Sequence, residues 1–149
     1  MYQDILKPVA EELAKYGLSL QPPCAEKDIE SLKRRVKEEL ATVLPENYAD
    51  FLREVRGLDY NGLVIFADET TPISGFDDRF IEGIVDANLG YRDVERLKDY
   101  LVLGTNGGVH YAEKLGAGEY QSIDAVSMDI YEKFDSFQEM LRGALRDNA

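Results

Sequence analysis

The sequence predicts an α+β fold, a mainly antiparallel sheet packed against helices within one domain spanning residues 1–149. Three observations carry this expectation. From Tyr100 to Leu145, short runs rich in β-branched and aromatic residues alternate with Gly-containing turns and end on an amphipathic pattern at helical spacing. Asn61-Gly62 sits between two short apolar runs, the local mark of a tight hairpin. Before it, apolar residues recur at helical spacing in three stretches punctuated by Gly and Pro. Helices are therefore expected over about 4–56, and the sheet with a closing helix over about 58–146.

Taken in order, Ile5, Leu6, Val9 and Leu13 mark one face of a helix from about Asp4 to Tyr16, with Pro8 near its first turn and Gly17 placed to end it. Leu18 to Pro23 reads as an extended connector, because the residue before a proline is pushed out of helical geometry. A second helix from Ala25 to about Leu40 turns Ile29, Leu32, Val36 and Leu40 inward. Its other face carries Lys33, Arg34, Arg35 and Lys37 among glutamates, a pattern that local ion pairs explain. A third helix begins at Leu44-Pro45, shows Tyr48, Phe51, Leu52 and Val55 as its stripe, and stops before Gly57. Leu58–Phe66 forms the Asn-Gly hairpin. Ala67–Asp78 lacks periodicity and reads as a loop. Phe80, Ile81, Ile84, Val85 and Leu89 suggest a fourth helix, and the polar stretch Tyr91–Asp99 adds at most a helical turn.

Strands are expected at Leu63–Phe66, Tyr100–Leu103, Val109–Glu113 and Tyr120–Asp124, with turns at Thr105–Gly108 and Gly116-Ala117-Gly118. The sheet should pack against helices on one side, with Phe51, Leu52, Leu101, Leu103, Phe137 and Leu141 in the core. Ile130–Phe134 is a last strand or an extended approach to the final helix. That helix starts at Ser136, whose spacing to Glu139 is that of a capping box.

There are 29 Asp and Glu against 17 Lys and Arg, a formal net charge of −12. Such a surface repels nucleic acid and anionic membrane and favours basic partners, although solubility alone also accounts for it. No apolar run approaches the roughly 20 residues of a membrane span, and no signal-peptide pattern opens the chain. A cytoplasmic protein is the expectation, with no direct contact to nucleic acid or membrane.

Catalytic patterns are scarce. His110 is the only histidine and Cys24 the only cysteine, so neither paired imidazoles nor an internal disulfide is available. His110 falls in a strand pattern, and Cys24 has no thiolate-lowering neighbour in sequence. The Gly104–Gly108 run lacks the Lys-Ser/Thr ending of a phosphate loop and leads into a strand. The acidic pairs Asp68-Glu69 and Asp77-Asp78 show no EF-hand spacing. No catalytic, metal or cofactor residue is expected.

Leu44-Pro45-Glu46-Asn47-Tyr48-Ala49-Asp50-Phe51-Leu52 is similar to the Leu-Pro, Tyr, Phe-Leu signature of the SUKH superfamily, where a Gly-containing hairpin follows, as Asn61-Gly62-Leu63 does here. Tyr91-Arg92-Asp93, Tyr100-Leu101-Val102-Leu103-Gly104 and Phe134–Leu141 resemble its YrhA-like branch, so the resemblance runs from about Leu44 to Leu145. It implies a SUKH-like fold and function by binding. Many members are bacterial immunity proteins that neutralise a cognate toxin domain, often a nuclease of a contact-dependent or related secretion system. The matching residues are structural ones, so no contact residue carries over. The expected partner is a toxin domain with a basic surface, since a nuclease must hold phosphates. Alternatives are a SUKH-like regulatory interaction module without a toxin, or a small metal-dependent hydrolase using an acidic loop.

The binding surface is expected between Asp68 and Asp93, at Asp68, Glu69, Phe76, Asp77, Asp78, Glu82, Asp86, Tyr91 and Asp93. This stretch combines acids with interspersed aromatics and has weak periodicity, and loops held on a rigid scaffold commonly carry recognition. An ordinary solvated loop is the competing reading.

Overall fold

Helix termini and turns follow the local chemistry closely. The computed structural model describes residues 2–115 and 117–149. Helix α1 spans Gln3–Ala14, and Gly17, at φ +72°, turns the chain away from it. Helix α2 spans Glu26–Leu40; Asp28 accepts from the Ala25 N–H at 3.2 Å, satisfying an otherwise free donor at the helix start. Helix α3 spans Glu46–Glu54, with Pro45 just before its first turn. The basic residues of α2 do pair with nearby acids, Arg35 with Glu39 at 2.9 Å and Lys33 with Glu46 at 3.3 Å.

Strands β1 (Leu58–Tyr60) and β2 (Leu63–Ile65) form the predicted hairpin. Asn61 and Gly62 both take positive φ, 52° and 84°, so this is a primed turn that matches the strand twist. Strands β5 (Tyr100–Thr105), β6 (Val109–Lys114), β7 (Glu119–Asp124) and β8 (Ile130–Phe134) complete a sheet ordered β1-β2-β5-β6-β7-β8. Every pairing in it is antiparallel. Ile130–Phe134 is thus a strand, on the sheet's edge. Gly116 of the expected β6–β7 turn lies outside the described residues. Helix α5, Phe137–Asp147, starts where Ser136 Oγ accepts from the Glu139 N–H at 3.2 Å. The return half of the expected box is replaced by an approach of Glu139 to Arg142 at 3.7 Å.

Between β2 and β5 the structure departs from expectation. Ala67–Asp78 includes a short strand β3, Thr71–Pro72, which pairs with β4, Phe80–Ile81, in a separate two-stranded sheet. Helix α4 starts only at Ile84 and runs to Tyr91, so Phe80 and Ile81 are not helical. Gly83 is the reason. Its backbone passes so close to Glu69 and Thr70 that an added Cβ would lie 2.7 Å from their backbone atoms. Ala67 N–H bonds to Glu82 O at 3.0 Å and Ile84 N–H to Ala67 O at 2.8 Å, holding this stretch extended. The polar stretch after α4 does add one 3₁₀ turn, Glu95–Leu97.

One continuous core lies between the sheet and the helices. Its centre is aromatic: Tyr2, Tyr48, Phe51 and Phe137 are all inaccessible to solvent and meet mostly edge-on, with centroids 5.4–6.3 Å apart. Leu52, Leu101, Leu103 and Leu141 are buried as expected. Helix α5 lies over β7 and β8, while α4 packs against α2 and β5. It runs beside β5 where β2 no longer pairs, and Asn88 bonds the main chain of Val102 there.

Candidate functional site

A groove of about 400 Å³ opens between the end of α1, the connector Leu18–Gln21, the β1–β2 hairpin and the segment 73–81. Gly17 frees the connector from α1, and Gln21 fixes it. Its buried amide donates to Pro72 O at 2.9 Å and accepts from the Ser74 N–H at 2.6 Å, clamping the connector against the β3–β4 segment. Gly57, at φ +83°, lets the chain enter β1 with only 3.0 Å between the site of a Cβ and Ile65 O. Ile81 points inward, whereas Phe80 and Glu82 on either side point to solvent, the alternation expected of a strand.

The groove is lined by the apolar side chains of Leu13, Leu18 and Ile73 and by the rings of Tyr16, Tyr60 and Phe76. Asp59 and Arg79, both lining it, meet at 3.5 Å. The Arg79 guanidinium also lies 4.8 Å from the centre of the Phe76 ring. Tyr16 is 74% exposed at the groove mouth. Tyr16, Asp59 and Arg79 escape the sequence reading because they come from three segments far apart in the chain. The signal present was Tyr16, an aromatic just before a helix-ending glycine.

The expected site residues separate in the fold. Asp77 and Asp78 are exposed beside the groove, next to Phe76 and Arg79. Glu69, Glu82, Asp86 and Asp93 are exposed as well. Glu82 and Asp86 lie close enough that burial, and secondly Asp86, raise the Glu82 carboxyl above its usual range. Asp86 accepts from Thr70 Oγ1 at 3.1 Å and lies 3.6 Å from Arg35. Two expected members pack toward the interior, Asp68 fully and Tyr91 in part. Asp68 is buried, with Oδ1 2.9 Å from Arg56 Nε, because its charge is neutralised inside. Tyr91 turns inward against His110, at 5.1 Å between rings, and against Phe66. Phe80, which the helical pattern had pointed to the interior, is 56% exposed and is the aromatic this region presents.

Cys24 lies beside Arg56 and Asp68, a proximity hidden in sequence. Burial, and then Asp68, push its thiol up to about 12, so it is not a thiolate at neutral pH. His110 is buried, and desolvation followed by Arg96 lowers its pKa, leaving a neutral ring. Among the described residues no three of His, Cys, Asp and Glu converge as a metal site would require, and no helix is long and apolar enough to cross a membrane.

A second, shallower cleft lies between the α2–α3 loop and the β6–β7 hairpin and includes Glu113. Burial pushes that carboxyl up to about 7. The folded pKa lies above the 4.5 of an ordinary glutamate, so the fold favours the neutral acid; the stability this gives is complete below about pH 4.5 and is lost as pH rises through 7. Glu113→Gln, which stays neutral, should therefore match the parent near pH 4 and unfold at higher denaturant near pH 8. Equal midpoints at both pH values would refute the burial argument.

No family model and no curated protein matches the chain. Among solved structures, it is similar to the crystal structure of a protein from Pseudomonas syringae pv. tomato, at 15% identity over 92% of this chain and 96% of that one, with a TM-score of 0.59. At this identity the likeness establishes the α+β fold that the two chains share.

Proposed function

We propose that the chain is an immunity protein of the SUKH type, which binds and neutralises a toxin domain with a basic surface in the cytoplasm. The observation that carries this reading is the exposed acidic segment around the β3–β4 pair, where Glu69, Asp77, Asp78 and Glu82 are exposed together with Phe80. An exposed aromatic on an acidic segment suits a partner that must itself be basic to hold phosphates. The motif resemblance and the net charge of −12 agree with it. A thiol held protonated and a neutral buried histidine also suit a protein that works by contact.

The test is co-expression with any effector domain found encoded beside this gene. The pair should co-purify, and growth should be rescued. A neighbouring gene for a large secreted effector separates this reading from a regulatory interaction module. Reversing Asp77 and Asp78 to lysine should slow association about tenfold at low salt, with the difference shrinking as salt screens the field. An unchanged association rate at low salt would place the interface elsewhere.

A further inference from the structure

We propose that the groove between α1 and the β1–β2 hairpin is a receptor for a guanidinium group, taking an arginine side chain of the protein partner. This rests on the proposed function for the partner's identity, but the receptor chemistry stands on the groove itself. Arg79 already displays the recognition that such a ligand would use. Its planar cation lies over the face of Phe76 at 4.8 Å and within 3.5 Å of the Asp59 carboxylate. An aromatic face together with a carboxylate is the pairing that favours arginine over lysine, because the guanidinium stacks and bonds in one plane.

Arg79 holds this position weakly. Its side chain is 52% exposed, and 3.5 Å is a long contact to Asp59, whereas the Asp59 side chain is only 22% exposed. The better-buried carboxylate is thus matched by a loosely held cation. About 400 Å³ of open space remains beside them, within the size range of ligand pockets. Leu13, Leu18 and Tyr60 line it and suit the aliphatic stem of an incoming side chain. Glu12 lies at the same opening, bonded to Lys15 at 2.9 Å. The incoming arginine displaces Arg79 from Asp59 and Phe76, and Arg79 swings to solvent beside Asp77 and Asp78. Arg79 is then an internal competitor for the site.

The experiment is an NMR titration of the full chain with N-acetyl-arginine amide, with the lysine and glutamate analogues as controls. Saturable shifts are expected in the methyl signals of Leu13, Leu18 and Ile73, strongest for arginine and absent for glutamate. Asp59→Asn should weaken binding about tenfold, and Arg79→Ala should strengthen it about threefold, reflecting one ion pair and one cation–π contact. Phe76→Leu keeps the apolar filling and should lose the preference for arginine over lysine. Circular dichroism verifies that each variant is folded. Absence of saturable shifts in the parent, equal response to the glutamate analogue, or unchanged affinity in folded Asp59→Asn would overturn the assignment. The probe needs no toxin, so its failure removes the arginine receptor and leaves the immunity reading intact. Failure to co-purify with a toxin removes that reading and leaves the probe result standing.

Discussion

Phe137→Ala is expected to lower the free energy of unfolding by about 3–5 kcal/mol, as truncation of large buried aromatics does. Phe137 opens α5 and is inaccessible to solvent. It meets Tyr2 from the start of the chain and Tyr48 and Phe51 from α3, with ring centroids 6.0, 5.5 and 5.4 Å away. Three helical segments therefore share one aromatic contact, and the cavity left by alanine cannot close from one side. Tyr2 is further pinned, since its hydroxyl donates to Asn47 O at 2.6 Å. Urea denaturation with an unchanged slope measures the loss. A change below about 1 kcal/mol would show that α5 is not part of the core, because even one methylene removed from a packed interior is felt.

Asn88→Ala is expected to cost about 2–5 kcal/mol, since it leaves buried polar main-chain groups without partners. Asn88 on α4 is inaccessible to solvent. Its amide nitrogen donates to Ile84 O and Val102 O, both at 2.8 Å, and its oxygen accepts from the Val102 N–H at 2.8 Å. β2 pairs with β5 only at Val64–Thr105 and Ile65–Gly104, so no strand reaches Val102 on that side. The asparagine side chain takes the place of a strand partner. Hydrogen exchange at the Val102 amide should accelerate in the variant more than at amides of β7. The α4 segment should loosen with it, carrying Glu82 and Asp86 away from their present positions. If exchange at Val102 were unchanged, the bond to Asn88 would not be what protects it.

Where structure depends on neighbours within a few residues, the sequence was a sufficient guide. Asn61-Gly62 specifies a primed turn because both residues tolerate positive φ, and both adopt it. Ser136 announces α5 because its hydroxyl meets an N–H three residues on. The apolar stripes of α1, α2 and α3 become the core because helical spacing puts their members on one face. The helical period extends too far upstream of α4 because Phe80 and Ile81, which form β4, match the spacing of Ile84 and Val85 by chance. Gly83 was the local clue, but the contact with Glu69 and Thr70 that makes it necessary is non-local.

The candidate site was legible only in its charge. Its composition marked the 68–93 segment as acidic and aromatic, but burial sorted the members. Asp68 went inside because Arg56 was there to neutralise it, Tyr91 became partly buried against His110, and Phe80 stayed out because strand alternation turned Ile81 inward. Composition, periodicity and short-range caps, acting over a few residues, determined the α+β class, the hairpin, most helices and the acidic surface. Tertiary structure alone decided the sheet edge closed by Asn88, the clamp from Gln21 to Ser74 and the opposition of Asp59 to Arg79. Each joins side chains distant in sequence, whose meeting depends on how the whole chain packs and leaves no periodic trace in any one segment.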